Sequence, residues 1–432
     1  MDQKKVYVAK RPPMGWNSWD CYGASVNEEI LLGNAGYMAE NLKEFGWKYV
    51  VCDIQWYEPT ADSHEYHPFA ELEMDQYSRL MPAVNRFPSA ADGKGFGPIA
   101  RKIHEMGLKF GIHILRGIPR QAVHRNSKIL GTDRTAKEIA STASICMWNT
   151  DMYGVDASKE GAQEYYDSLF ELYAQWGVDF VKVDDIARID CGPEAPGAGF
   201  SEIALIKRAI EKCGRPMVLS LSPGPARVEQ KDFLLDNANM WRMTDDFWDR
   251  WDHLYGMFER CHAWEGVGCK DHWPDCDMLP IGRLRVCDGK EGFTRFTHDE
   301  QKVLMTLWCI FRSPLMIGAE MRDNDEFTLS LLTNKRLLDM HRNGRKPRQV
   351  ARKKDMIIWK SRTKDARTYV AVFNIGEKKG QAKLKFREIG LSDPENKVEE
   401  VTAIDIWEGK QLLLKDKMKL ELNPHSVVCF EI

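Results

Sequence analysis

Apolar residues in the first two-thirds of the chain alternate between two periods. Short runs of β-formers at 14–19 (MGWNSW), 48–54 (KYVVCDI), 108–115 (LKFGIHIL), 178–185 (VDFVKVDD), 216–222 (PMVLSLS) and 238–246 (ANMWRMTDD) read as strands, with two weaker candidates at 278–281 and 311–317. Between them the spacing becomes that of amphipathic helices, at 28–45, 97–106, 161–176, 201–213, 248–261 and 299–311. Eight β segments separated by helices predict an α/β fold, a closed (β/α)8 TIM barrel with the helices outside. An open doubly wound sheet is the competitor, but no G-x-G-x-x-G follows the first strand and no phosphate-binding G-x-x-x-x-G-K-[ST] occurs.

Near 343–349 (NGRKPRQ) the helical pattern stops. Beyond it the alternation has period two, at 356–362, 368–376, 381–386, 400–407, 419–423 and 426–432, with turn residues between. This predicts a C-terminal antiparallel β-sandwich domain over 346–432, after the barrel over 1–345. Two connections, 57–95 and 118–150, exceed ordinary loop length and are candidate lids or binding loops.

Composition narrows the class. At 432 residues, one large and one smaller domain is the natural division. A net charge of −3 with acids and bases mixed throughout gives no support for nucleic acid or membrane partners. The N-terminus lacks the apolar core of a signal peptide, and no run approaches transmembrane length. The 11 cysteines include no C-x-x-C, and the spacing of Cys269, Cys276 and Cys287 fits no familiar zinc pattern. Free thiols in a reducing cytoplasm are therefore expected. The 14 tryptophans suit either ring stacking on a ligand or a large core.

The chemistry concentrates in VDFVKVDD. Side chains alternate along a strand, so Lys182 and Asp184 share one face while Asp185 points the other way. A lysine and an acid ending a buried strand are costly unless they pair or perform chemistry. An ion pair at a strand end is the plain explanation. Polar and aromatic residues also gather at the other strand ends: Trp16 and Trp19, Asp53 and Trp56, His113 and Arg116, Ser222, Asp245 and Asp246. In a barrel these converge on one mouth, where active sites lie.

Two acids carry the argument, Asp184 after the fourth strand and Asp246 after the sixth. Paired carboxylates bordered by tryptophans are what glycoside hydrolysis needs, one to attack the anomeric carbon and one to protonate the leaving oxygen. Lys182 is placed to hold the nucleophile ionised, and Arg242, on the face of Asp246, to orient the acid. Spacing alone does not choose between Asp245 and Asp246. A divalent metal on Asp53, Asp184 and Asp185 is the alternative use of these carboxylates, and a non-catalytic carbohydrate-binding protein is the alternative class.

PPMGWNSWDCYG (12–23), VVCDIQW (50–56), FVKVDD (180–185), WRMTDDFWDRW (241–251) and WPDCDMLPIG (273–282) resemble, in order, the motifs of glycoside hydrolase family 27. This is the α-galactosidase family of retaining enzymes with a barrel and a C-terminal β domain. The resemblance places its K-x-D nucleophile motif on Lys182 and Asp184. Its R-x-x-x-D acid/base motif falls on Arg242 and Asp246, which decides against Asp245. It also implies sugar contacts at Trp19 and Asp277.

The departures from that family are informative. Where α-galactosidases carry two adjacent acids in a D-D-x-W arrangement, this chain has Asp53-Ile54-Gln55-Trp56. Isoleucine accepts no hydrogen bond, so facing it with a hydroxymethyl group leaves a hydroxyl unpaired, at a cost of about 1–3 kcal/mol. L-arabinopyranose has galactose stereochemistry without C6 and escapes the penalty. The motif is similar to that of the family's β-L-arabinopyranosidase members. The family's tyrosine after the third strand is His113. A glutamate after the fifth is Ser222, a small residue of the kind that keeps α-N-acetylgalactosaminidase activity open. The cysteine that usually follows the nucleophile is Ile186.

The expectation is a retaining exo-hydrolase for terminal β-L-arabinopyranosyl residues, with α-galactosidase as the runner-up. Asp184 would be the nucleophile and Asp246 the acid/base. Trp19, Asp53, Ile54, Trp56, His113, Lys182, Ser222, Arg242 and Asp277 would contact substrate. No cofactor or metal is called for. The partner is a small-molecule or oligosaccharide glycoside, the compartment cytoplasmic, and the β domain either a cap or the interface of a homo-oligomer.

Overall fold

The computed structural model describes residues 7–188, 197–289 and 292–432. The first residues, read above for a leader, and most of the Gly/Pro-rich run after the fourth strand lie outside them.

Eight parallel strands form one sheet: β1 (Met14–Asn17), β2 (Tyr49–Cys52), β3 (Lys109–Leu115), β4 (Phe180–Asp184), β5 (Val218–Leu221), β6 (Met240–Arg242), β7 (Trp273–Asp275) and β8 (Leu315–Ile317). β8 pairs with β1. Between β7 and β8 the ring closes through a parallel bridge from Leu279, just beyond β7, to Ile317. The barrel is thus as expected, but the seventh strand is Trp273–Asp275 rather than 278–281. Its central residue is Pro274, which lacks the N–H of a regular ladder and hides the strand in the sequence. The eighth strand begins at Leu315, since Phe311 still belongs to the preceding helix.

The helices outside are α1 (Glu28–Asn41), α2 (Gly97–Glu105), α3 (Ala162–Trp176), α4 (Ala198–Lys212), α5 (Lys231–Asn237), α6 (Trp251–Ala263) and α7 (His298–Phe311), with Glu326–Leu332 and Lys335–Asn343 after β8. α5 and the two helices after β8 have no counterpart among the helical stretches read from the sequence. The stretch 118–150 is less loop-like than expected. It holds helices at Arg120–Arg125 and Ala136–Ile139, and a strand at Ala140–Ile145 that pairs with Met152–Val155.

Inside the barrel the lower layer is apolar: Tyr49, Val51, Phe180, Val218, Met240, Trp273 and Met316 form one cluster. Gly111 belongs to this layer because a Cβ there would come within 2.9 Å of the Val51 side chain and 3.0 Å of the Phe180 Cβ. Two residues further along, the inward positions become Asp53, His113, Lys182, Ser220, Arg242 and Asp275. The change from apolar to charged within one pleat gathers the ionisable groups at the C-terminal mouth, where active sites lie in such barrels.

Beyond Asn343 the chain forms β9 (Arg345–Lys353), β10 (Met356–Arg362), β11 (Thr368–Asn374), β12 (Gly380–Leu384), β13 (Glu400–Asp405), β14 (Gln411–Lys415), β15 (Met418–Leu422) and β16 (Ser426–Glu431). Six make an antiparallel sheet in the order β9-β10-β11-β16-β13-β14, and β12 pairs with β15. Every residue of β11 is buried because its two faces serve different cores. Val370 and Val372 pack inside the sandwich, while Tyr369, Ala371 and Phe373 join the barrel's core. Phe373 meets Phe258 of α6 with ring centroids 5.0 Å apart.

Candidate active site

The strand ends open into a cavity of about 580 Å3. Its floor carries Asp53, Lys182, Asp184, Arg242 and Asp277; Asp245 and Asp246 stand at one side, and Trp19, Tyr66, Trp148 and Trp248 form the walls. The walls are continuous. Trp19 stacks on Tyr66 at 5.8 Å and 17°, and Tyr66 meets Trp148 at 5.5 Å. The long stretches after β2 and β3 therefore do line the site.

Parallel register sets His113 beside Lys182, and Lys182 beside Ser220. Lys182 Nζ lies 2.9 Å from Asp53 Oδ2 and 4.0 Å from Asp184 Oδ2. The nearer donor to Asp184 is His113, whose Nε2 is 3.1 Å from Oδ2. The other oxygen, Oδ1, accepts the Asp185 N–H at 3.0 Å. Burial alone would raise the Asp184 carboxyl. The His113 bond and the charges of Lys182, His113 and Arg242 outweigh it and hold the group far below the usual carboxylate range. Burial of Asp53 is likewise outweighed by Lys182 and His113, and by the Asn17 amide at 2.6 Å, so that its carboxyl is lowered.

Arg242 links the other acids. Its Nη2 donates to Asp246 Oδ1 at 3.0 Å, and its Nη1 lies 2.9 Å from Asp277 Oδ1. The Asp246 side chain is 59% exposed in the open cleft, against 13% for Asp184. The two acids thus occupy opposite environments, one enclosed by cations and one facing solvent. Asp245 turns away to Arg188. Asp185 occupies the other face of β4, where its backbone carbonyl and side chain both meet Arg116, the carboxylate at 2.9 Å. That arrangement removes Asp185 from a metal site with Asp53 and Asp184. The Lys182 ammonium, lodged between those two carboxylates, supplies the positive charge a metal would bring.

Three residues expected to touch substrate lie outside the cavity lining, each fully buried. Trp56 sits behind the wall, its indole N–H donating to the His113 carbonyl at 2.7 Å and its ring packed on Phe96 and Trp176. His113 reaches the cavity through Asp184 at 3.1 Å and Asp53 at 3.9 Å. Ser222 lines a small internal cavity of about 20 Å3 beneath Arg242. Trp19, Asp53, Ile54, Lys182, Arg242 and Asp277 do line the cleft.

Asp20 and Asp275 were missed. Asp20 lines the cleft beside Trp19 and is 3% exposed. Burial, with the charge of Asp277 next, raises its carboxyl well above the usual value. Its Oδ2 fits only because residue 318 is glycine, where a Cβ would fall 2.1 Å away. Asp275 is inward on β7 and accepts the Asp277 N–H at 2.9 Å. Burial, then Asp277, pushes it up to about 7, and burial and Asp246 push Asp277 up to about 6 despite Arg242. Asp275 escaped notice because the strand that carries it was not legible as one, and nothing in the sequence marked Asp20.

All described cysteines are free, and no described helix is long and apolar enough to cross a membrane.

Comparison with known proteins agrees with this geometry. Residues 150–343 match the family model for alpha galactosidase A, and residues 353–432 match that for the alpha galactosidase C-terminal beta sandwich domain. The crystal structure of a family 27 β-L-arabinopyranosidase from Geobacillus stearothermophilus is 58% identical, with a TM-score of 0.94, covering 98% of this chain and 96% of that one. A putative α-N-acetylgalactosaminidase from Bacillus halodurans is 52% identical, with a TM-score of 0.87 and coverage of 99% and 98%. Alpha-galactosidase 2 of Arabidopsis thaliana is 24% identical over 97% of this chain and 88% of its own length. Identity above one half along the full length of both chains leaves one assignment: this protein belongs to glycoside hydrolase family 27 and is a glycoside hydrolase.

Proposed function

We propose that the enzyme removes terminal β-L-arabinopyranosyl residues with retention of configuration. The observation that carries the choice of sugar is Ile54. It is 1% exposed, lines the cleft, and donates its backbone N–H to Asp53 Oδ1 at 2.9 Å, which holds it beside that acid. Its side chain offers no acceptor and occupies space where a hydroxymethyl group would need both room and a partner. Discrimination of about ten- to a hundredfold against the C6-bearing sugar follows. The 58% identical Geobacillus enzyme supports the reading, since a variant of it carrying one Asp-to-Ala substitution was crystallised with arabinose.

In this mechanism Asp184, ionised and fixed through both oxygens, attacks the anomeric carbon, while Asp246 protonates the leaving oxygen. Asp246 then takes a proton from water, which opens the glycosyl ester. Arg242 orients Asp246, Lys182 and Asp53 bind hydroxyls, and Trp19 offers a ring face to the sugar. α-Galactosidase is the second reading, favoured by the more distant curated relatives.

The test is kcat/KM on p-nitrophenyl β-L-arabinopyranoside against p-nitrophenyl α-D-galactopyranoside. The arabinoside is expected to be the better substrate by about tenfold or more. A galactoside preference would overturn the sugar assignment.

A further inference from the structure

Three metal-ligating side chains from distant parts of the chain meet at the rim of the cleft. His64 Nδ1 lies 2.8 Å from Asp288 Oδ1 and 3.2 Å from Cys287 Sγ, which is itself 3.5 Å from Asp288 Oδ1. Among the described residues this is the one group of three such ligands whose donor atoms all lie within 4.8 Å of one another.

The tautomer of His64 is set from outside the cluster. Its Nε2 is 2.9 Å from the Trp19 carbonyl, which can only accept, so Nε2 carries the hydrogen. In the neutral ring the Nδ1 lone pair then faces a carboxylate oxygen. Two acceptors at that distance need a cation between them, either a proton or a metal. A backbone carbonyl on the remote nitrogen is also how metal-bound histidines are oriented. Thiolate, imidazole and carboxylate together suit zinc and similar borderline cations, whereas magnesium and calcium prefer all-oxygen sites.

We propose that His64, Cys287 and Asp288 bind a zinc-type divalent cation, outside the reaction chemistry, that pins the segment after β2 to the segment after β7. On binding, the Cys287 thiol releases its proton to solvent and the sulfur becomes a thiolate ligand, leaving a fourth position for water.

The site touches the substrate cleft through rings. His64 packs edge-on against Trp19 at 5.2 Å and against Trp248 at 5.9 Å, and both tryptophans line the cavity. Fixing His64 fixes two walls, so metal should lower KM more than it changes kcat. This inference holds whichever glycoside is the substrate.

The test uses the full-length enzyme stripped with EDTA and titrated calorimetrically with zinc chloride. Uptake of one equivalent per chain and a rise in Tm are expected. Cobalt chloride should give a thiolate-to-metal charge-transfer band. Cys287→Ser should abolish the band, weaken zinc binding at least tenfold and keep the metal-free hydrolysis rate, and Asp288→Asn should also weaken binding. Asp184→Asn should bind zinc as wild type does. Absence of stoichiometric uptake, uptake unchanged in Cys287→Ser, or uptake lost in Asp184→Asn would each overturn the proposal.

Discussion

His113 Nε2 stands 3.1 Å from Asp184 Oδ2, closer than the Lys182 ammonium at 4.0 Å, which instead lies 2.9 Å from Asp53. The lysine of the K-x-D motif thus bonds mainly to the second acid. A fully buried histidine on the neighbouring strand is the donor that fixes the proposed nucleophile. Sequence spacing placed lysine and acid on one face but could not show which of two carboxylates the lysine would choose.

Replacing His113 by phenylalanine keeps the bulk and removes the donor. A hydrogen bond to a charged group contributes about 1.5–3 kcal/mol, so kcat/KM should fall about ten- to a hundredfold. Because that bond helps hold Asp184 low, its carboxyl should rise toward the ordinary range. The acidic limb of the kcat/KM profile should then move to higher pH. An unmoved limb would mean that Lys182 and Arg242 hold Asp184 without His113.

Asp246 and Asp245 should separate cleanly. Asp246→Ala removes the proposed proton donor and should cost about 10²–10⁴-fold on glycosides with poor leaving groups, much less on p-nitrophenyl glycosides. Azide should restore turnover by attacking the glycosyl-enzyme without base assistance. Asp245→Ala, which removes a group paired to Arg188, should lose less than about tenfold, with no azide effect. Azide rescue of Asp245→Ala rather than Asp246→Ala would reverse the two assignments.

Asp275 should make the fold less stable as pH rises. Its carboxyl is pushed up to about 7 by burial and by Asp277, whereas an unfolded aspartate titrates near ~3.9. Between these values the folded state binds the extra proton, so stability falls with increasing pH and the loss is complete above the folded pKa. Asn at this position can still accept the Asp277 N–H and has no proton to lose. Asp275→Asn should therefore gain stability relative to wild type between pH 5 and 8, by about 1–3 kcal/mol. A difference in denaturation midpoint that does not change with pH would rule out this origin.

The fold was legible where one periodicity dominates. Six barrel strands and most helices announce themselves through runs such as YVVC and FVKVD, and β11 through TYVAVFN. β7 was not legible because three residues with a central proline resemble a turn, and β9 and β14 because charged residues dominate one and flank the other. Asp184 was readable because strand alternation puts it on one face with Lys182, whereas Asp246, four residues beyond the end of β6, was separated from Asp245 only by the family resemblance. Trp56 was misjudged because a strand-end tryptophan reads the same whether it faces the mouth or the helices behind it. The cluster of His64 and Cys287 lay beyond any local pattern, since 223 residues separate its members.

The claim that Ile54 selects the sugar is tested most directly by the change in the arabinoside-to-galactoside kcat/KM ratio on Ile54→Asp. The substitution restores an acceptor beside Asp53 and removes the branched bulk. The ratio should shift toward the galactoside by about tenfold or more. A ratio that stays at the wild-type value would show that Ile54 merely packs against the barrel.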